Sequence, residues 1–303
     1  MTDNSELINE INALRQERKA VLLAHNYQRP EVQDIADFTG DSLGLSRQAA
    51  RAEAEVIVFC GVHFMAQTAK LLSPSKTVLL PEKEAGCPMA DMITPEQLRE
   101  FKAQYPGAPV VAYVNTTAEV KAESDICCTS ANAVEVVKSL DADRILFIPD
   151  RNLGSWVARA VPDTEILLYP GFCPTHQYIT AEDIQKAKQE HPAALVLAHP
   201  ECAAEVLALA DAVRSTSGML RFARESDASE FIVATEMGLL HPLQKDNPGK
   251  TFYPLFSALC PNMKLTTLES IRRALTTNTH VIEIDEGIAG RARATVERMV
   301  AIG

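Results

Sequence analysis

Several things are absent from this 303-residue chain, and each absence removes a class of function. No basic run occurs and the formal net charge is −11, so nucleic acid is not expected as a partner. No apolar run is long enough for a membrane span, so no membrane partner is expected either. The opening residues, Met1-Thr-Asp-Asn-Ser-Glu6, are polar and acidic rather than an export signal, which points to a cytoplasmic location. An even cysteine count is lacking too. Seven cysteines without an export signal argue against disulfides and favour metal or redox chemistry. The remainder is ordinary globular composition, 47% hydrophobic and 23% charged, with length for two or three domains.

What is present is a repeat. Cys87-Pro88, Cys173-Pro174 and Cys260-Pro261 are spaced by 86 and 87 residues. Seven residues after each Cys stands a Thr suited to capping a helix: Thr94, Thr180 and Thr267. Short apolar runs recur in the same order, Val21–His25, Val110–Tyr113 and Leu195–His199 among them. Continuous runs of this kind suit a parallel sheet covered on both faces. The expected fold is α/β: three homologous α/β/α sandwich domains with small parallel sheets, in pseudo-threefold arrangement around a shared centre. The expected units are 1–91, 92–177 and 178–280, with the tail 281–303 packing back on the first. Val281–Asp285 reads as one more first strand.

The register marks candidate functional residues. His25, Tyr113 and His199 are equivalent, and seventeen residues further stand Ser42, Ser130 and Thr216. In an open parallel sheet, ligands bind beyond the carboxyl ends of the strands. The first-strand ends carry His25-Asn26-Tyr27, Tyr113-Val114-Asn115 and His199-Pro200-Glu201. The short-strand ends carry Asp41-Ser42, Thr129-Ser130 and Ser215-Thr216. Hydroxyls placed before helices can be plain N-caps, or they can bind carboxylate and phosphate with the free N–H groups of the helix. Three in register favour anion binding. His176, three residues beyond Cys173, joins His25, His199 and Glu201 as an acid–base set, with Tyr113 and Tyr27 as further proton donors. Cys60, Cys127, Cys128 and Cys202 have no counterparts in the other units and read as small buried residues. His63, His191, His241 and His280 read as structural.

Three Cys-Pro pairs need a shared explanation. Proline stiffens the turn and biases the preceding residue to an extended shape, which fixes the thiolate. An [4Fe–4S] cluster with three Cys ligands keeps one iron open as a Lewis acid. The alternatives are a Cys₃ zinc site in a hydrolase of small anionic substrates, and a cluster used only for electron transfer or sensing. The lack of a fourth matching Cys disfavours the last.

These residues together resemble the quinolinate synthase family. The resemblance spans the whole chain and rests on Ala24-His25-Asn26-Tyr27, Gly40-Asp41-Ser42, Gly86-Cys87-Pro88, Tyr113-Val114-Asn115-Thr116, Thr129-Ser130, Gly171-Phe172-Cys173, His199-Pro200-Glu201, Ser215-Thr216-Ser217 and Cys260-Pro261. It implies a [4Fe–4S] cluster on Cys87, Cys173 and Cys260. It implies condensation of iminosuccinate (iminoaspartate) with dihydroxyacetone phosphate to quinolinate, releasing phosphate and two waters, in NAD biosynthesis. An aspartate oxidase or dehydrogenase would then supply the iminosuccinate. Under this reading His25, Ser42, Asn115, Ser130, His199, Ser215 and Thr216 bind the substrates. Tyr113 and Glu201 bind and also move protons, supported by Tyr27 and His176.

Overall fold

The structure is a computed structural model that describes residues 4–302. Residues 1–3, at the head of the stretch read for an export signal, and Gly303 at the end of the tail lie outside the described residues. The strands are β1 (Ala20–His25), β2 (Phe38–Gly40), β3 (Val56–Cys60) and β4 (Thr77–Leu79), then β5 (Val110–Tyr113), β6 (Ile126–Cys128), β7 (Arg144–Ile148) and β8 (Glu165–Leu168), then β9 (Leu195–Ala198), β10 (Ala212–Val213), β11 (Glu230–Ala234) and β12 (Thr251–Pro254). They form three four-stranded sheets of identical order, β2-β1-β3-β4, β6-β5-β7-β8 and β10-β9-β11-β12. Every pairing within them is parallel. The α/β fold with three small parallel sheets is therefore as the repeat predicts. Each sheet lies whole within one of the ranges 1–91, 92–177 and 178–280, and we propose these as the units.

The repeat is visible in details that periodicity alone does not reveal. The second strand of each unit is only two or three residues long and leaves a first-strand N–H without a ladder partner. An aspartate takes its place each time. The carboxylate of Asp37 accepts from Leu22 N–H at 2.8 Å, that of Asp125 from Val110 at 2.7 Å, and that of Asp211 from Val196 at 2.8 Å. Thr94, Thr180 and Thr267 each open a ten-residue helix with a capping box, which satisfies donors at the helix start reciprocally. β3, buried along its length, packs on one face into a core continuous through all three units and on the other into a smaller core that the first sheet shares with helices Asn4–Glu17 and Leu268–Thr277, so the chain already packs back on the first unit before residue 281.

The tail departs from its predicted form. Val281 makes only a single antiparallel bridge to Leu79, with Ile282 N–H on the Val78 carbonyl at 2.9 Å. It closes the open edge of β4 rather than starting a further parallel sheet, and an edge so covered is not available for pairing with another chain. The final helix, Glu286–Val300, lies against helix Ala118–Ala122 and β6 of the second unit and against helix His63–Leu72 of the first. Its last carbonyls are taken from both sides: Asn132 Nδ2 donates to Met299 and Ile302, and Arg47 donates to Val300 and Ile302. The helix thus ties the two units together.

Candidate active site

The strand ends of the three units converge on one cavity of about 220 Å³. Its lining includes His25, Tyr27, Ser42, Cys87, Tyr113, Asn115, Ser130, Cys173, His176, His199, Glu201, Thr216 and Cys260. Residues from three units thus meet in one place. Ser215 differs: it stands outside the lining, and its hydroxyl accepts Gly218 N–H at 3.2 Å as the cap of helix Thr216–Glu225. In the first unit Asp41 holds that capping position, accepting Gly44 N–H at 2.8 Å, and Ser42 is the first helical residue. A capping residue occupies its side chain on its own helix, so the next residue is the one free to face the ligand. The second unit breaks the pattern, because its helix begins only at Ala133. Ser130 instead meets His199 Nε2 at 3.1 Å.

The three Cys-Pro turns build thiol sites. Pro174 begins a short helix with Cys173 at its N-cap, and short 3₁₀ turns, Ala90–Met92 and Asn262–Lys264, follow Cys87 and Cys260. Backbone N–H groups of these turns lie near the sulfurs and offset part of the cost of burying a thiolate: those of Ala90 and Met89 for Cys87, that of His176 for Cys173, and those of Met263 and Asn262 for Cys260. Burial pushes all three thiols up, Cys87 to about 12, and Cys87 is further raised by Cys260, and Cys173 by Glu201 and Cys87. Such sulfurs stay protonated unless a positive centre takes up their charge, while the N–H groups are poised to stabilise thiolates. The donor set therefore fits a metal centre shared by three thiolates. Cys60, Cys127, Cys128 and Cys202 are buried outside the lining, and Cys202 Sγ contacts the Ala234 carbonyl at 3.4 Å. Cys173, His176 and Glu201 also place one ligand atom each within 4.8 Å of one another, so they too could hold a metal ion.

An acid–base chain runs beside the thiols. Glu201 Oε2 is 2.7 Å from His176 Nδ1 and 3.4 Å from His199 Nδ1, while Oε1 is buried and has no partner. Burial alone would raise the Glu201 carboxyl. The rings of His176 and His199 beside it and their hydrogen bonds outweigh burial and hold the group well below its ordinary value, as a carboxylate. With His176 Nδ1–H directed at Glu201, Nε2 is the acceptor, 2.8 Å from the hydroxyl of Thr235. That hydroxyl is 2.6 Å from the Tyr27 hydroxyl. The chain therefore runs Tyr27–Thr235–His176–Glu201, and all four residues are buried. Tyr113 is raised well above its ordinary value, first by burial and then by the charge and hydrogen bond of Glu201. Burial lowers His199, and burial together with the neighbouring His199 lowers His25 to about 3, so both are neutral at pH 7.

The sequence reading missed Thr235, and two carboxylates behind the thiols. Asp150, fully buried, accepts Cys173 N–H at 3.2 Å, and Glu236, also fully buried, accepts Cys260 N–H at 3.1 Å. Asp150 and Glu236 are 86 residues apart, the Tyr113–His199 interval, so the register applied to the third strands would have found them. The first unit has Val62 here. Thr235 has no such signal, because Pro149 and Gly61 follow the equivalent strands.

The chain matches the family model described as "Quinolinate synthetase A protein" over residues 9–301. It is 57% identical to the quinolinate synthase of Thermodesulfovibrio yellowstonii over 296 residues, 97% of this chain and 98% of that one. It is 55% identical to that of Methanoregula boonei over 303 residues, the full length of both. With that of Geobacter metallireducens it shares 56% over 294 residues, covering 97% and 96%. A family match of this extent spans all three units, and so includes the three Cys-Pro turns and every strand end that meets at the cavity: the chain belongs to the quinolinate synthase family.

Proposed function

We propose that this cavity condenses iminosuccinate with dihydroxyacetone phosphate to quinolinate, releasing phosphate and two waters, in the cytoplasm and with a [4Fe–4S] cluster held by Cys87, Cys173 and Cys260. The observation that carries the reading is the meeting, in one cavity, of three thiols on N–H-rich turns with a proton chain ending at Glu201 and with hydroxyls from all three units. When bound, such a cluster supplies a Lewis acid through its open iron. The protein's own groups do the remainder.

Ser42 and Thr216, each the first residue of a ten-residue helix, place a hydroxyl and a positive helix end toward an anion. Thr216 Oγ1 accepts from Asn26 Nδ2 at 3.2 Å, which leaves its own hydrogen free for an acceptor. Ser130 and the neutral ring of His199 form a second polar pair, His25 also lines the cavity, and the buried Oδ1 of Asn115, without a protein partner, accepts from a substrate N–H or hydroxyl. The free oxygen of Glu201 takes the proton from carbon, while His176 holds the other oxygen. The Tyr113 hydroxyl, beside Glu201 on the cavity wall, supplies a proton to a departing hydroxyl, which leaves as water. The proton that Glu201 takes from carbon then passes to the Tyr113 oxygen, which restores both groups; the Tyr27–Thr235–His176 chain, its hydrogens directed toward Glu201, lends the carboxylate a proton when it acts as an acid and takes it back afterwards. An enzyme that oxidises aspartate must supply the imine.

Family membership gives no support to the zinc-hydrolase alternative. The test is anaerobic quinolinate formation by the wild type, with iron, sulfide and zinc analysis of the same sample. Tyr113→Phe and Glu201→Gln should keep the cluster and lower turnover roughly 10²-fold or more. Wild-type turnover in both would overturn the proton roles, and zinc without iron in an active sample would overturn the cofactor.

A further inference from the structure

Tyr27, Asn115 and Glu201 occupy the same register position, two residues beyond His25, Tyr113 and His199. Each must be presented to the cavity by a turn that follows its strand, and carbonyls in such a turn lack ladder partners. In the first unit the buried amide of Gln33 satisfies them: Nε2 donates to the carbonyls of Asn26 at 3.0 Å and Gln28 at 2.8 Å, the two residues flanking Tyr27. In the second unit Lys121 does the same. Its ammonium donates to the carbonyls of Val114 at 2.8 Å and of Thr116, the two residues flanking Asn115. Gln33 and Lys121 are 88 residues apart, the same interval that separates Tyr27 from Asn115 and His25 from Tyr113. The third unit has Leu207 at this place. We infer that Gln33 and Lys121 are equivalent positioning residues: each clamps the two carbonyls around a cavity residue and so fixes Tyr27 and Asn115 toward the substrate.

Lys121 adds what Gln33 lacks. Its side chain is fully buried, and no ion pair joins it among the described residues. A buried ammonium with only carbonyl partners and the ring of Phe64, 5.6 Å away, is costly by itself. Burial accordingly lowers it to about 8. Neither Lys nor Arg lines the cavity among the described residues, although both proposed substrates are multiply charged anions. Lys121 therefore places a positive charge behind Asn115, on the wall that meets them. Lys264, a partly buried ammonium beside Tyr27, is already paired with Glu236 at 2.9 Å.

The inference rests on the quinolinate synthase reading, and the wild type separates the two: wild-type protein that makes no quinolinate refutes that reading, whatever the variants do. In the holoenzyme, Lys121→Met should raise KM for the anionic substrates roughly tenfold or more, the scale of losing Asn115's hydrogen bond to a charged substrate once Asn115 is no longer held in place, and keep cluster absorbance. Combined with Asn115→Ala, it should add little further, because both act on one contact. Lys121→Gln rebuilds the first unit's clamp without charge and should recover part of the affinity. Gln33→Met should instead lower kcat with a smaller change in KM, since it displaces Tyr27. Wild-type KM in Lys121→Met, or an effect fully additive with Asn115→Ala, overturns the assignment. If Lys121→Met does not fold, Lys121→Gln and Gln33→Met decide it: wild-type kinetics in both would overturn it as well.

Discussion

Replacing Thr235 by valine tests the proton chain at its least obvious link. Valine keeps the shape of threonine and removes one hydroxyl. That hydroxyl lies 2.6 Å from Tyr27 and 2.8 Å from His176 Nε2, and its residue is 1% exposed. The change leaves two buried polar groups without partners, and each such group costs roughly 1–3 kcal/mol. If the chain only stabilises the fold, this cost falls on the folded protein: the thermal midpoint drops and turnover is unchanged. If the chain moves protons, the cost also falls on the transition state, and turnover drops roughly 10²-fold or more. The assay is anaerobic quinolinate formation at saturating iminosuccinate and dihydroxyacetone phosphate, with cluster absorbance and thermal midpoint measured on the same preparation. Thr235→Val with wild-type kcat and a lowered midpoint would refute the catalytic part of the argument.

Cys87→Ser, Cys173→Ser and Cys260→Ser should each abolish anaerobic cluster loading while Cys202→Ser keeps it, read by iron and sulfide content; loading that survives the first three would remove the thiol assignment. Gly238→Ala should destabilise the fold by roughly 1–3 kcal/mol and impair turnover, since an added Cβ would stand 2.6 Å from the Tyr27 carbonyl carbon and oxygen, which are backbone and cannot turn aside; a denaturant midpoint equal to wild type would contradict the packing. The apo-protein should lose stability on acidification. His25 is held neutral in the fold, with its value lowered from 6.5 to about 3, whereas the unfolded chain takes up the proton below 6.5. The contribution is complete above pH 6.5 and falls by roughly 1.4 kcal/mol per pH unit from there toward pH 3. His25→Phe should flatten the stability curve across that window, and an unchanged slope would show that His25 titrates normally in the fold.

The sequence by itself determined the repeat, the parallel α/β units, the three thiols and most of the cavity lining. It could do so because strand runs, Cys-Pro turns and capping threonines are local features, and three copies in register reinforce one another. What it misread or missed is decided by the exact course of the backbone and by packing between units. Val281–Asp285 has the composition of a strand, but the edge of β4 decides how it pairs. Ser215 carries the same hydroxyl as Thr216, but the backbone turn gives the cap to one and the cavity to the other. Nothing in Ala-Glu-Val-Lys-Ala marks Lys121; it is buried because helix Glu286–Val300 packs on its own helix and Phe64 of the first unit faces its ammonium. Thr235 matters only because the third unit brings it between Tyr27 of the first and His176 of the second. Distances between groups on different units are fixed by how the three units close on one another, and no local pattern in the chain records that closure.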